Sequence, residues 1–194
     1  MNRLAALLLL PFASLAACTS ESDFADVAAG AEGIYRVTSY TRNDQACAPG
    51  GSSLLGKDKF AFAVSRQLFG ISVLDIYSCE NPADCRAKLA ALDANGSFSL
   101  DFSFTLSDVE AGVLVGAGAS TGFGDGGVCR EGEITKTRLV LEGTSLRLQQ
   151  EVTVADDYPA DRDGFCTTTA AQAAAAGNAC SELEVFSADF VEPL

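Results

Sequence analysis

Between Ser97 and Leu106 the chain reads SFSLDFSFTL, with Phe98, Leu100, Phe102, Phe104 and Leu106 at every second position and Ser97, Ser99, Asp101, Ser103 and Thr105 between them. Side chains alternate sides along a strand and not along a helix, so a period of two requires a β-strand with one dry and one wet face. Shorter versions recur at 34–42, 59–65, 69–77, 113–120, 134–141, 146–154 and 183–191. Eight such segments predict an all-β fold, an eight-stranded antiparallel up-and-down barrel with a β-sandwich as the alternative. Two short helices fit in the connections. In NPADCRAKLAALDANG, Asn81 caps, Pro82 takes the first helical position and Gly96 follows the end; in TTTAAQAAAAGN, threonines cap and Gly177–Asn178 stops.

The connections differ in length. Those at 66–68, 107–112 and 142–145 are short, whereas 43–58, 78–96, 121–133 and 155–182 are long. In a meander the two sets lie at opposite ends. Cys47, Cys79, Cys85, Cys129, Cys166 and Cys180 all fall in the long set, which gathers the sulfurs at one pole. No pair has C-x-x-C spacing and the chain has no histidine, so disulfides fit these cysteines better than zinc. Fifteen connectivities are open. Local bracketing favours Cys79 with Cys85 and Cys166 with Cys180, leaving Cys47 to meet Cys129.

The seventh cysteine is Cys18, at the end of MNRLAALLLLPFASLAAC. Arg3 opens a leader whose apolar stretch, 4–17, is shorter than the roughly 20 residues a bilayer span needs. Its last four residues, LAAC, resemble the lipobox of bacterial lipoproteins. That resemblance implies cleavage before Cys18, acylation of Cys18 with palmitate-type chains, and attachment to the cell envelope; Thr19 and Ser20, in place of the retention aspartate of inner-membrane lipoproteins, point to the outer membrane. The domain reading follows: signal peptide 1–17, lipidated flexible tether 18–32, and a disulfide-stabilised barrel 33–194. With Arg3 removed, the 13 basic and 26 acidic residues become 12 and 26, a net charge of −14. Such a body is repelled by nucleic acid and by anionic head groups, so membrane contact is expected through the lipid alone.

GIYRVTSY, residues 33–40, resembles the first-strand motif of lipocalins, with Tyr35 where that family has tryptophan. The resemblance implies barrel architecture, and architecture does not carry function. An outer-membrane barrel is disfavoured, because no tryptophan and only four tyrosines are present for its aromatic girdles.

Two stretches imitate sites. GASTG, 118–122, fits the nucleophile pattern G-x-S-x-G, yet Ser120 has no histidine anywhere to serve it, and no S-x-x-K spacing links it to Lys57, Lys59, Lys88 or Lys136. Its glycines read as backbone, with Gly116 and Gly118 marking a bend or a close approach. DRDG, 161–164, looks like part of a calcium loop, but registering Asp161, Asp163 and Gly164 puts Pro159 and Ala170 where Asp and Glu belong. Carboxylate pairs abound without distinction.

The expectation is therefore a binding module, not an enzyme, without cofactor or metal ion. The leading reading is a carrier of a small apolar ligand in a cavity lined by Phe60, Phe62, Phe98, Leu100, Phe102 and Phe104. The alternative is a protein-binding or hydrolase-inhibiting lipoprotein that uses its acidic loop pole on a cationic protein. A histidine-free hydrolase is the third.

Overall fold

A computed structural model describes residues 21–194 except Ala46, Asn95, Phe123 and Gly126. Cys18 and the expected signal peptide, 1–17, lie outside the described residues. Among the described residues, nine strands form the path of the main sheet: β1 (Gly33–Asn43), β2 (Phe60–Leu68), β3 (Ile71–Cys79), β4 (Ser103–Leu106), β5 (Asp108–Glu110), β6 (Val113–Thr121), β7 (Gly132–Glu142), β8 (Ser145–Ala155) and β9 (Glu182–Glu192). Their order is β4-β3-β2-β1-β9-β8-β7-β6-β5, and the pairings are antiparallel. First and last long strands pair over most of their length, with Tyr40 opposite Phe186. The two ends of the path, β4 and β5, are joined by the single residue Ser107, whose amide donates to the Val115 carbonyl at 2.9 Å. Counted with that kink as one stave, the sheet is a nearly closed eight-stave barrel, as the alternation predicts.

Short turns set one pole. Phe69–Gly70 has φ of 52° and 82° and Ala111–Gly112 has 51° and 81°. These left-handed pairs twist with the flanking strands, which is why two residues suffice. Two of the long connections carry α2 (Pro82–Asp93) and α3 (Thr168–Ala175). Both caps work as read: the Asn81 side chain accepts from the amides of Ala83 and Asp84, and the Thr167 hydroxyl from that of Ala170.

One helix departs from the expectation. Glu21–Ala31, placed by the sequence reading in a flexible tether, forms α1, with Phe24, Ala28 and Ala31 buried. Their spacing of four and three aligns them on one face, and the two alanines let the helix lie close against the wall. It closes the short-turn pole, where the Tyr35 hydroxyl donates to the Ala31 carbonyl at 2.8 Å and the Ser65 amide donates to Glu32 at 3.0 Å.

The interior is filled. Tyr40, Phe102, Phe104 and Phe186 meet with ring centroids 5.2 to 6.1 Å apart, above a layer of Leu74, Ile76, Leu106, Leu114, Leu139, Leu146 and Leu148. Each such side chain stabilises by about 1.5 to 3 kcal/mol through burial. Of the six residues expected to line a cavity, only Phe102 and Phe104 belong to this cluster. Phe60, Phe62, Phe98 and Leu100 pack with Ile34, Tyr77, Leu89 and Leu92 in a separate one, between the outer wall and α2. On β2 it is Ala61 and Ala63 that face inward, since the interior beside Tyr35 has room only for small residues there.

The SFSLDFSFTL segment is accordingly not one strand. Residues 97–101 lie outside the ladder and lead from the outer layer to the inner one; the Ser78 amide donates to the Phe102 carbonyl at 3.2 Å, and strand begins at Ser103. The Ser78 hydroxyl accepts from the amides of Asp101 and Phe102, which fixes the crossing point. At Gly116 an added Cβ would strike the Thr105 carbonyl and the Leu106 backbone. Here glycine serves a close approach of β4 to β6, one of the two roles the sequence allowed.

Candidate functional site

The meander sends the loops bearing Cys47, Cys129, Cys166 and Cys180 to the pole opposite α1. Cys79 and Cys85, expected at that pole too, lie instead on the outer wall beside Ile34 and Phe62, where Arg86 reaches Glu192, the residue opposite Ile34 at the start of β1, because α2 folds back along the strands and does not stay over the mouth. Two of the three expected pairings are corrected. Cys79 does bridge Cys85, but Cys47 joins Cys180 and Cys129 joins Cys166, with Cα atoms 5.7 and 5.6 Å apart. Strand pairing explains both. Asn43 sits opposite Leu183, so the stems bearing Cys47 and Cys180 leave the sheet side by side. Cys129 lies opposite Tyr158 in a small sheet made of Gly124–Asp125, Val128–Cys129 and Tyr158–Pro159, which brings the loop before Cys166 alongside.

Beneath that small sheet lies a third apolar cluster, Cys129, Ala155, Tyr158, Ala171 and Ala175, by which α3 is seated on the wall. Gly132 permits the contact, because a Cβ there would come within 2.8 Å of the Ala171 methyl. The stretch that resembles a calcium loop closes on itself. One Asp161 carboxylate oxygen accepts from the amides of Asp163 (3.0 Å) and Phe165 (2.8 Å), and the Asp161 and Phe165 backbones bond at 2.9 Å. Among the described residues no cluster of metal-ligating side chains is present.

This turn ends in Phe165, 68% exposed, next to the Cys166 bridge; Val128, 44% exposed, adjoins the other half of the same bridge. Asp156, Asp157, Asp163 and Glu131 are exposed on the same two loops, where they outnumber the exposed Arg130 and Arg162, the latter 3.7 Å from Asp163. The result is a pair of apolar side chains held on cross-linked loops in an acidic surround.

Inside the mouth, Glu184 is buried and accepts from the Tyr40 hydroxyl at 2.7 Å and from Arg42 Nε at 2.9 Å, while Glu182 lies 3.0 Å from Arg42. Burial and the Glu184 carboxylate push the Tyr40 phenol well above its usual range, and burial raises the Glu182 carboxyl. Together they form a polar lid over the aromatic interior.

A second buried group stitches the wall to α2. Asp58 accepts from the Ser78 hydroxyl at 2.8 Å and lies 3.6 Å from Lys88 Nζ, which reaches Asp84 at 3.3 Å and donates to the Ser78 carbonyl at 2.9 Å. Lys88 is thereby committed to structure. Ser120 lies far along β6 in an open groove with Arg130, Glu131 and Glu133, and no lysine lines that groove. Room for a small molecule occurs on the outer face instead. A groove of about 350 Å³ there is lined by Val115, Ala117, Lys136, Arg138, Gln149 and Glu151 among others.

Sequence reasoning missed Phe165 and Val128. The signal that could have found them is position: each is an apolar residue next to a loop cysteine, where no alternation requires it. No described helix is long and apolar enough to cross a membrane. No family model matches the chain, no curated protein matches it, and no solved structure matches it.

Proposed function

We propose that the chain is a lipid-anchored protein of the bacterial cell envelope, outer membrane by the residues after Cys18, whose disulfide pole binds another protein through a cationic surface. The observation that carries the reading is Phe165, exposed at the end of a turn fixed by Asp161 and locked by Cys166. An apolar side chain on a rigid loop loses little freedom on binding, so its burial goes largely into affinity. The acids around it select a basic partner and speed encounter. The packed interior favours this reading over the apolar carrier, since four of the six residues meant to line a cavity lie outside the wall. A hydrolase whose surface is cationic is one partner of suitable chemistry, and no catalytic step is assigned to the chain itself.

A photoreactive amino acid placed at residue 165 in living cells tests the proposal. A discrete protein adduct, lost when the loop acids are replaced by their amides and dissociating as salt rises before irradiation, is the expected result. Absence of any protein adduct at 165 would sink it.

A further inference from the structure

The short-turn pole has an apolar feature of its own. Phe69, at the tip of the β2–β3 hairpin, is 97% exposed, and Ile71 beside it is 57% exposed. Phe69 also holds a left-handed backbone, φ 52°, where asparagine, aspartate or glycine would sit without strain. A bulky apolar residue that is both strained and wetted contributes nothing to folding.

Register shows that this hairpin projects. β1 begins opposite Ala63, so residues 64–68 of β2 run on beyond the start of β1, paired only with β3. Helix α1 lies along the projection. Glu32 at its C-terminal end receives the Ser65 amide, and Phe24 and Ala25 at its other end share a groove of about 310 Å³ with Gln67 and Ser72, next to the turn. The N-terminal half of α1 therefore lies beside the stem of the hairpin that bears Phe69. Cys18 precedes Glu21 by three residues, a distance of at most about 10 Å of chain.

We infer that the Phe69–Ile71 tip inserts into the surface of the same phospholipid bilayer that holds the acyl chains of Cys18. This rests on the lipid-anchored reading of the N-terminus. The acyl group confines the barrel to within one short segment of the bilayer, and the projecting hairpin flanks the helix from which that segment leads. Insertion buries Phe69 and Ile71 in the apolar boundary and gives the anchor a second, orienting point. The disulfide pole is then turned outward, away from the lipid. Asp23 and Asp26 on α1 and Glu32 just after it keep this pole acidic, so the attraction is apolar and is not weakened by salt.

The chain lacks tryptophan, so Phe69→Trp supplies a single reporter. The full-length protein, purified with its lipid and its Cys18 acylation verified by intact mass, is placed in phosphatidylcholine vesicles with brominated acyl chains. The indole of this variant should emit to the blue and lose about half its intensity, whereas the sole tryptophan of Phe165→Trp, at the far pole, should keep a water-like spectrum. In a second pair, Ile71→Trp alone should be quenched, and the same reporter with Phe69→Asn should be quenched much less although that variant unfolds at equal or higher denaturant. An acylated Phe69→Trp protein whose fluorescence is neither shifted nor quenched overturns the inference while leaving the anchor standing. A mature mass without acyl chains removes the anchor, and the inference falls with it.

Discussion

The two poles of this barrel are closed by opposite means. At the short-turn pole a helix supplies the closure, through Phe24, Ala28 and Ala31 against the interior and through Tyr35 bonded to its last turn. At the other pole covalent bonds supplement a thinner packing: Cys47–Cys180 and Cys129–Cys166 tie loops to one another, and a small cluster of alanines around Tyr158 and a polar lid lie beneath. The difference follows from chain length. Two-residue turns leave a mouth that one helix can fill, whereas long loops bury too little apolar surface to order themselves and rely on cross-links. A cross-linked loop can also expose an apolar side chain such as Phe165 without collapsing on it.

This contrast can be broken experimentally. The largest effect should come from the longest covalent tie: Cys47→Ser with Cys180→Ser opens a bridge between residues 133 apart, and the chain-entropy model gives a loss of about 5 kcal/mol, read as a fall in the urea midpoint. Next, Phe24→Ala removes the plug's anchor and should cost about 3 to 4 kcal/mol, with faster amide exchange confined to β2, β3 and α1. Equal loss of protection at the disulfide pole would show that the two closures are not independent.

Alkali probes the packed end. Burial pushes the Tyr35 phenol up to about 12, and burial with the Asp75 carboxylate does the same for Tyr77. The unfolded chain ionises near pH 10, so this contribution is complete below about pH 10 and is lost as the pH rises to about 12. Phenolate absorbance should lag in the folded protein, stability should fall across that window, and Tyr35→Phe should flatten the fall. Smaller again, Cys79→Ser with Cys85→Ser opens a span of only 6 residues and should cost about 2 kcal/mol. Least of all, Phe165→Ser should leave the unfolding midpoint within about 0.5 kcal/mol of the parent. A large loss there would make Phe165 part of the core and not a contact for a partner.

Much of the framework was legible because strands announce themselves locally. The Asn81–Pro82 and Thr167 caps and the eight alternating segments needed no long-range information, and the unequal connections placed Cys47, Cys129, Cys166 and Cys180 at one end. Where the reading went astray, the deciding contact was distant in sequence. Phe60 and Phe62 obey the same period of two as Phe102 and Phe104, and period alone cannot say which side of the sheet is the interior once a second apolar layer exists under α2. Residues 21–31 look small and acidic, and only the mouth that receives Phe24 makes them a plug. Phe165 carries no pattern at all.

The sequence by itself determined the all-β class and the direction reversals, since these depend on side-chain period and connection length along one chain. Tertiary structure decided which cysteine faces which, which phenylalanines enter the barrel, and which apolar residues stay in water. Those choices depend on register between strands far apart in sequence, and a shift of one residue there reverses every side chain that follows.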